Sequence, residues 1–206
     1  MSFAIGIPTL NRADLLIPSL LKYTDDFKNI DIHVVDNGKQ SLTAADKIHI
    51  YEQQQNLGVA ASWNLLCNKI FETHSHALIL NDDVYLGYDT QRVNNVISKY
   101  PYSLVQSHIS WSVILISKHM YDYIGAFDET FHPAYYEDSD YLYRMKLKGI
   151  IQDVDVTLNP EVVRISMTQE KDPELVNESM RVNRERYIEK WGNSPLLETF
   201  LTPYNK

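Results

Sequence analysis

The sequence is short of cysteine, long apolar runs and basic residues. The single Cys67 excludes an internal disulfide and a zinc site built from several cysteines. No apolar run reaches membrane-spanning length, and Gly6 and Pro8 favour a strand over a signal segment at the start. With 19 Lys and Arg against 27 Asp and Glu, the net charge of -8 argues against nucleic-acid binding. We expect a soluble, cytoplasmic protein without a transmembrane segment or a nucleic-acid partner.

Short apolar runs alternate with segments of helical spacing. A chain of 206 residues with 44% hydrophobic content suits one domain with a substantial core. The patterns predict strands at 3–8, 30–35, 48–52, 77–80 and 113–116, and helices at 11–22, 58–73, 89–99, 138–148 and 173–191. This alternation indicates an α/β domain with a mainly parallel sheet and a more mixed second half. Ligands of such sheets bind at the carboxyl ends of the strands.

The first candidate site is the acidic group Asn81-Asp82-Asp83, which directly follows the apolar run 77–80. Adjacent carboxylates repel each other unless a cation or hydrogen-bond donors separate them. The group therefore suits Mg²⁺ or Mn²⁺ bridged to phosphate oxygens. Paired acids after a strand are also common in solvated turns, so this motif alone does not decide between the two.

The second candidate is the acidic segment Glu137 to Asp140, which follows three small or aromatic residues, 134–136. If a helix begins near Asp138, then Asp140 and Arg144 lie four residues apart and pair. Glu137 and Asp138 then lie at the helix N-terminus, where a carboxylate can accept a proton from a hydroxyl. Acids also complement the dipole of a helix start without any catalysis, and taken alone this explanation is the stronger one.

Two further segments end in turns that suit a nucleotide. Asp36-Asn37-Gly38 closes the second strand, where an exposed Asp would take ribose hydroxyls or a base edge. An ordinary strand-ending turn explains the same residues equally well. Asn56 to Ala60 lies before a helix and is either a loop near phosphate or only a helix start.

The order of these motifs resembles the family-two glycosyltransferases of the GT-A fold. The resemblance covers about residues 3–164 and includes the segment Ile124 to Glu129 before the acidic motif. It implies a single domain with a Rossmann-like, mixed and mainly parallel sheet that carries helices on both faces. Within it, residues 1–100 would bind the nucleotide sugar, 101–165 would hold the acceptor and catalytic groups, and 166–206 would form a helical segment. The motifs are Ile5 to Arg12, Val34 to Gly38, Asn56 to Ala60, Asn81 to Asp83 and Glu137 to Asp140.

The resemblance also implies roles for single residues. The nucleotide-binding positions would be Pro8, Thr9, Asn11, Arg12, Asp36, Asn56 and Gly58. Asp83 would bind the metal, with Asn81 and Asp82 completing the Asp-X-Asp-type motif close to the donor ribose or sugar. Asp138 would be the general base, and Glu137 would contact substrate hydroxyls. Trp111 would offer a stacking surface for a sugar ring.

Two positions depart from the family pattern. Asn81 stands where an acid is frequent, so one charge is missing and the metal role rests mainly on Asp83. Arg164 stands where the family often has a His near the metal or diphosphate. Arg164 either pairs with the diphosphate or is a surface residue.

The expected function is transfer of a sugar from a nucleotide-diphosphate donor, with inversion at the anomeric carbon. The expected cofactor is Mn²⁺ or Mg²⁺, and UDP is the expected nucleotide by family frequency. The acceptor is expected to be a glycan or glycoprotein, with other glycosyltransferase domains as possible partners. Two alternatives are a sugar-phosphate nucleotidyltransferase, although residues 8–14 lack its glycine-rich loop, and a non-catalytic nucleotide- or sugar-binding module.

Overall fold

The protein has an α/β architecture, in which helices cover both faces of a β-sheet. A computed structural model of the chain describes residues 2–108, 111–163 and 173–206. The strands are β1 (Phe3–Thr9), β2 (Ile32–Asp36), β3 (Ile48–Glu52), β4 (His76–Leu80), β5 (Val84–Tyr85), β6 (Leu104–Gln106), β7 (Val113–Ser117), β8 (Asp153–Val154) and β9 (Val162–Val163). The helices are α1 (Ala13–Asp26), α2 (Gly58–Ile70), α3 (Thr90–Lys99), α4 (Lys118–Ile124), α5 (Glu137–Leu147) and α6 (Pro173–Trp191). Two 3₁₀ turns span Val156–Leu158 and Pro203–Asn205.

The main sheet has seven strands in the order β3-β2-β1-β4-β7-β6-β8. The first four strands in this order are mutually parallel. A helix or a long connection between them returns the chain to the end of the sheet where each strand begins. β7 runs antiparallel to β4 and β6, whereas β8 is parallel to β6. β5 and β9 form a separate antiparallel pair. The prediction of a mixed, mainly parallel α/β sheet is confirmed.

Side chains of the central strands alternate between two cores. In β4, Leu78 and Leu80 enter one apolar cluster while Ala77 and Ile79 enter the other. The first cluster takes its helical side chains from α1 and α3, and the second from α2, α4 and α5. Because both faces of β4 are covered, its residues 77–80 are all apolar, as predicted.

The C-terminal helix α6 begins and ends at the predicted residues and is held by a buried charge cluster. Lys190 Nζ lies 2.6 Å from carboxylate oxygens of both Asp128 and Asp140. Arg144 Nε donates to the other oxygen of Asp140 at 2.8 Å, which confirms the predicted pair, and Trp191 Nε1 donates to Asp140 at 2.9 Å. These contacts join α6 to α5.

The helix α4 is not predicted from the sequence. It has seven residues, too few to show a helical period, and its N-cap is Ser117, whose side chain accepts a hydrogen bond from Met120 N–H. In the described ranges, none of the helices is both long enough and apolar enough to cross a bilayer.

Candidate active site

A cavity of about 240 Å³ lies at the carboxyl ends of β1, β2 and β4. Eight residues predicted from the sequence line it: Pro8, Thr9, Arg12, Asn56, Gly58, Asn81, Asp82 and Glu137. Because the parallel strands end at one edge, motifs that are far apart in sequence meet there. Asn37 of the Val34 to Gly38 motif also lines the cavity, so the structure brings together members of all five motifs.

The cavity has two walls. The strand-edge wall consists of Pro8, Thr9, Leu10, Arg12, Asn37, Asn81 and Asp82. The opposite wall includes part of the loop Thr130–Tyr136, which precedes the acids of α5, and is called the acid-loop wall. It consists of Pro133, Ala134, Tyr135, Glu137, Leu175, Val176 and Ser179. The start of α2 joins them through Asn56, Gly58, Val59 and Ser62.

Arg12 supplies the positive charge of the strand-edge wall. Its side chain is buried and bonds Asp14 through two nitrogens, at 3.0 and 3.1 Å. The bond to Asp14 raises the pKa of the guanidinium, and the nearby Asp82 and Asp83 add to this effect. Arg12 therefore remains charged and partly offsets three carboxylates.

Asp82 and Asp83 are carboxylates held in unfavourable surroundings. Burial, with a contribution from Asp83, raises the pKa of Asp82 to about 6, although Thr9 and Arg12 oppose the shift. Burial also raises the pKa of Asp83. A second cavity of about 320 Å³, between α1 and β5, has both carboxylates in its wall. Asp82 therefore borders two cavities, whereas Asp83 lines only the second.

The residues present fit a divalent cation bound mainly through substrate oxygens. Among the described ranges, no group of three His, Cys, Asp or Glu side chains is arranged to hold a metal. Mg²⁺-type ions, however, are commonly held by one or two carboxylates with phosphates and water. Asp83 suits this role, since its Oδ1 is buried and lacks a hydrogen-bond partner within the described structure.

The Asp36 side chain bonds residues of the turn that follows it and does not line the cavity. Its buried carboxylate accepts hydrogen bonds from Gly38 N–H at 2.9 Å and from Gln40 N–H at 2.7 Å. Gln40 Nε2 donates to the same carboxylate at 3.0 Å. Direct contact with a base or ribose would require some of these bonds to be exchanged. Its neighbour Asn37 lines the cavity instead, although no sequence pattern favoured Asn37 over Asp36.

The start of α2 contacts the loop Thr130–Tyr136, here called the acid loop. Val59 N–H donates to Pro133 O at 2.8 Å, and His132 Nε2 lies 3.2 Å from Asn56 O. Gly58 has a φ of +80°, and a Cβ there would lie 2.8 Å from atoms of His132 and Pro133. This position therefore requires glycine for both its conformation and its close packing.

Helix α5 presents two acids at its N-terminus. Glu137 is buried in the cavity wall, and its Oε2 has no partner in the described part of the chain. Burial, together with the neighbouring Asp138, raises the pKa of Glu137 to about 8. Asp138 follows Glu137 directly but is half-buried and does not line the cavity, and its Oδ1 accepts a hydrogen bond from Ser139 N–H at 2.6 Å. Burial raises the pKa of Asp138 as well.

Two other predicted residues, Asn11 and Trp111, do not line the cavity. Asn11 has a φ of +55° and approaches Gly38 rather than the open space. Trp111 is half-buried and stacks on Trp63, with ring centroids 6.1 Å apart. Arg164 lies outside the described residues.

The lining residues from α6 escaped the site prediction. Leu175, Val176 and Ser179 close one side of the cavity. The helical period of 173–191 predicted a helix on the body or over the site, but no single residue in it carried a binding motif. Only the packing of α6 shows which residues face the cavity.

Comparison with known proteins supports the fold. No protein-family model matches the sequence, and no curated protein matches it either. The structure is similar to GalNAc-T7, crystallised with UDP, GalNAc and Mn²⁺, with a TM-score of 0.67, 8% identity, and coverage of 93% of this chain and 48% of that one. It is also similar to glucosyl-3-phosphoglycerate synthase from Mycobacterium tuberculosis, crystallised with Mn²⁺, UDP and glucosyl-3-phosphoglycerate, with a TM-score of 0.54, 13% identity, and coverage of 90% and 78%.

These similarities define the class of fold. The chain has the GT-A fold of nucleotide-sugar glycosyltransferases, as its motif order predicted. It spans about half the length of the GalNAc-T7 chain.

Proposed function

We propose that this protein is a glycosyltransferase that moves a sugar from a UDP-sugar to a hydroxyl of a glycan or glycoprotein, with inversion and with a divalent cation. The observation that carries the proposal is the cavity where residues of five sequence motifs meet at the carboxyl edge of the sheet. Two proteins of the same fold were crystallised with UDP and Mn²⁺, which supports this donor and this cation.

The strand-edge wall would hold the nucleotide. Pro8, Thr9 and Asn56 lie where the parallel strands and the start of α2 leave room for a base and ribose. Arg12 provides a charge of the sign that a diphosphate requires. Asp82, in the same wall, would accept hydrogen bonds from ribose or sugar hydroxyls.

Asp83 would hold the cation, with substrate phosphates and water as its remaining ligands. A bound cation there would offset the negative charge that the diphosphate gains as its bond to the sugar breaks, which favours the transition state over the ground state. Arg12 contributes in the same direction, because its hydrogen bond to Asp14 favours the charged form of the guanidinium.

Asp138 would act as the base and Glu137 as a hydrogen-bond donor. With a pKa of about 8, Glu137 is mostly protonated at neutral pH and can donate to a substrate oxygen. Asp138 would accept the proton of the acceptor hydroxyl while the oxygen of that hydroxyl bonds to the anomeric carbon. The bond from that carbon to the diphosphate breaks on the opposite face, and this geometry inverts the configuration.

The first test measures UDP binding by calorimetry, with and without Mn²⁺, for the wild type and Asp83→Ala. Metal-dependent binding that Asp83→Ala weakens at least about tenfold is expected from the loss of a charged ligand. Asp122→Ala, which removes an exposed carboxylate that lines neither cavity, serves as the control. If the wild type binds no UDP under any condition, the proposed donor is wrong.

The second test follows hydrolysis of a panel of UDP-sugars, since the acceptor is not required for that reaction. Asp138→Asn is expected to lower the rate by about 10²- to 10⁴-fold while UDP affinity stays the same, because a base acts on the chemical step. Near wild-type activity in Asp138→Asn would remove Asp138 from the role of base. UDP binding without any Asp138-dependent turnover would indicate a binding module.

A further inference from the structure

The acid loop ends in a strained turn directly before the two acids of α5. Tyr135 has a φ of +76° and Tyr136 a φ of +75°, which are unfavourable values for residues with side chains. Two such residues in succession persist only where surrounding contacts hold them. The turn also sets the direction in which Glu137 enters the cavity.

Two hydrogen bonds to this turn come from one buried residue of α6, and the ring of Tyr136 also packs against Tyr187, with ring centroids 5.6 Å apart. Asn183 is fully buried, and its Nδ2 donates to Ala134 O at 2.7 Å and to Tyr135 O at 3.2 Å. Arg186 Nη1 donates to Asn183 Oδ1 at 2.9 Å, and because an Arg can only donate, this contact fixes which end of the amide faces the turn.

Arg186 extends the same contact along the acid loop. Its Nη1 donates to Thr130 O at 2.7 Å. On the other side of the loop, Val59 N–H bonds Pro133 O at 2.8 Å. The loop is therefore held between α2 and α6, and Asn183 bonds carbonyl oxygens of the strained turn itself.

We propose that Asn183 is a positioning residue, which holds the turn Ala134–Tyr136 so that Glu137 faces the cavity and Asp138 lies beside it. This inference rests on the proposed function for its catalytic consequence. Asn183 does not line the cavity and would act only through the carbonyls that it binds.

The test uses Asn183→Leu, which keeps a similar volume but removes both donated bonds. The control is Arg181→Ala on the same helix, because Arg181 is exposed and pairs only with Glu178 and Glu185 among the contacts described. For hydrolysis of a UDP-sugar, Asn183→Leu is expected to lower kcat about 10- to 100-fold, since small displacements of reacting groups have effects of this size. KM and UDP affinity are expected to stay within about twofold, because the strand-edge wall is untouched.

A second readout does not depend on turnover. The carboxyl group of Glu137 is followed by carbon-13 NMR across pH, with Glu137→Gln to assign its signal. In Asn183→Leu the released turn is expected to let Glu137 reach water, so its pKa falls towards the ordinary value, while Arg181→Ala keeps it raised. This result would stand even if no UDP-sugar were hydrolysed, and so it separates failure of the inference from failure of the proposed function.

Several outcomes would overturn the inference. An unchanged Glu137 titration in Asn183→Leu, or equal losses in kcat and UDP affinity, would show that Asn183 does not position the acids. If Asn183→Leu fails to fold, the smaller Asn183→Ala is measured in the same way. If neither variant folds under conditions where Arg181→Ala does, Asn183 is a residue of general stability and the inference is wrong.

Discussion

The two walls of the cavity are built in different ways. Thr9 ends β1, and Asn81 and Asp82 follow β4, so the strand-edge wall inherits its geometry from neighbouring strands. The acid-loop wall is assembled from a loop, the start of α5 and one face of α6, with no sheet between them. Its geometry depends on side chains that reach across long sequence distances, such as Asn183 and Lys190.

This difference has a consequence for stability and for function. Many backbone hydrogen bonds between neighbouring strands hold the strand-edge wall, so its geometry does not depend on any single bond. A few buried polar contacts hold the acid-loop wall, so single substitutions there are expected to have large effects. In the proposed mechanism the first wall binds the donor and the second performs the proton transfer.

The largest expected effect comes from Lys190→Met. Lys190 is buried and bonds both Asp128 and Asp140 at 2.6 Å. Its removal leaves two carboxylates without their shared cation, which is expected to lower the free energy of unfolding by about 3–5 kcal/mol. Burial alone would raise the pKa of Asp128, but its bonds to Lys190 and Thr130 hold it below the usual value.

Urea denaturation measures this change, and a matched control exists. Lys118 also lies 2.6 Å from a carboxylate, that of Asp122, but both side chains are about half exposed. Lys118→Met is expected to cost only about 0.3–0.5 kcal/mol, because solvent screens an exposed pair. Equal costs in the two variants would contradict the assigned role of the buried cluster.

Gly58→Ala is expected to have the next largest effect, because Gly58 joins the two walls. An added Cβ would lie 2.8 Å from His132 Cδ2 and from Pro133 O, at a φ of +80°. Strain and overpacking together are expected to cost about 2–4 kcal/mol and to weaken UDP binding. Gly149→Ala is the control, since Gly149 has a φ of +73° and nothing within 4 Å of the added Cβ.

The control isolates the contact from the backbone effect. Gly149→Ala is expected to cost only about 1–2 kcal/mol, the cost of a left-handed residue with a side chain. Thermal unfolding of both variants measures the difference. If Gly149→Ala were as damaging as Gly58→Ala, the packing of the acid loop on α2 would not matter for stability.

The strand-edge wall was predictable because its signals are local. Four consecutive apolar residues, 77–80, predicted a buried strand, and the acids after it had to lie at the edge of the sheet. For Pro8, Thr9 and Arg12 the prediction came from the family resemblance, and all three line the cavity. Asp36 shows the limit of this reasoning, because the carboxylate of an acid at a strand end can instead accept hydrogen bonds from the backbone of the turn that follows it.

The acid-loop wall was only partly predictable. Their place at a helix start made Glu137 and Asp138 candidates, but only the family resemblance gave them roles. The spacing of Asp140 and Arg144 predicted their pair. Asn183 bonds carbonyls 48 and 49 residues earlier, and an amide that recognises backbone leaves no periodic signal in either segment. The strand β6 and the helix α4 also have weak sequence signals, because three and seven residues are too few to show a clear hydrophobic period.

Glu137→Gln gives the smallest expected effect and shows whether the acid-loop wall keeps Glu137 away from water. A carboxyl whose folded pKa is about 8 binds its proton more tightly in the folded state than in the unfolded chain. Its contribution to stability is fully present below the unfolded pKa of about 4.3 and is lost as pH rises towards 8. The neutral amide of Gln avoids this loss. Urea denaturation between pH 5 and pH 8 should therefore show Glu137→Gln gaining about 1–3 kcal/mol over the wild type as pH rises, and a constant difference across this range would mean that Glu137 is already hydrated.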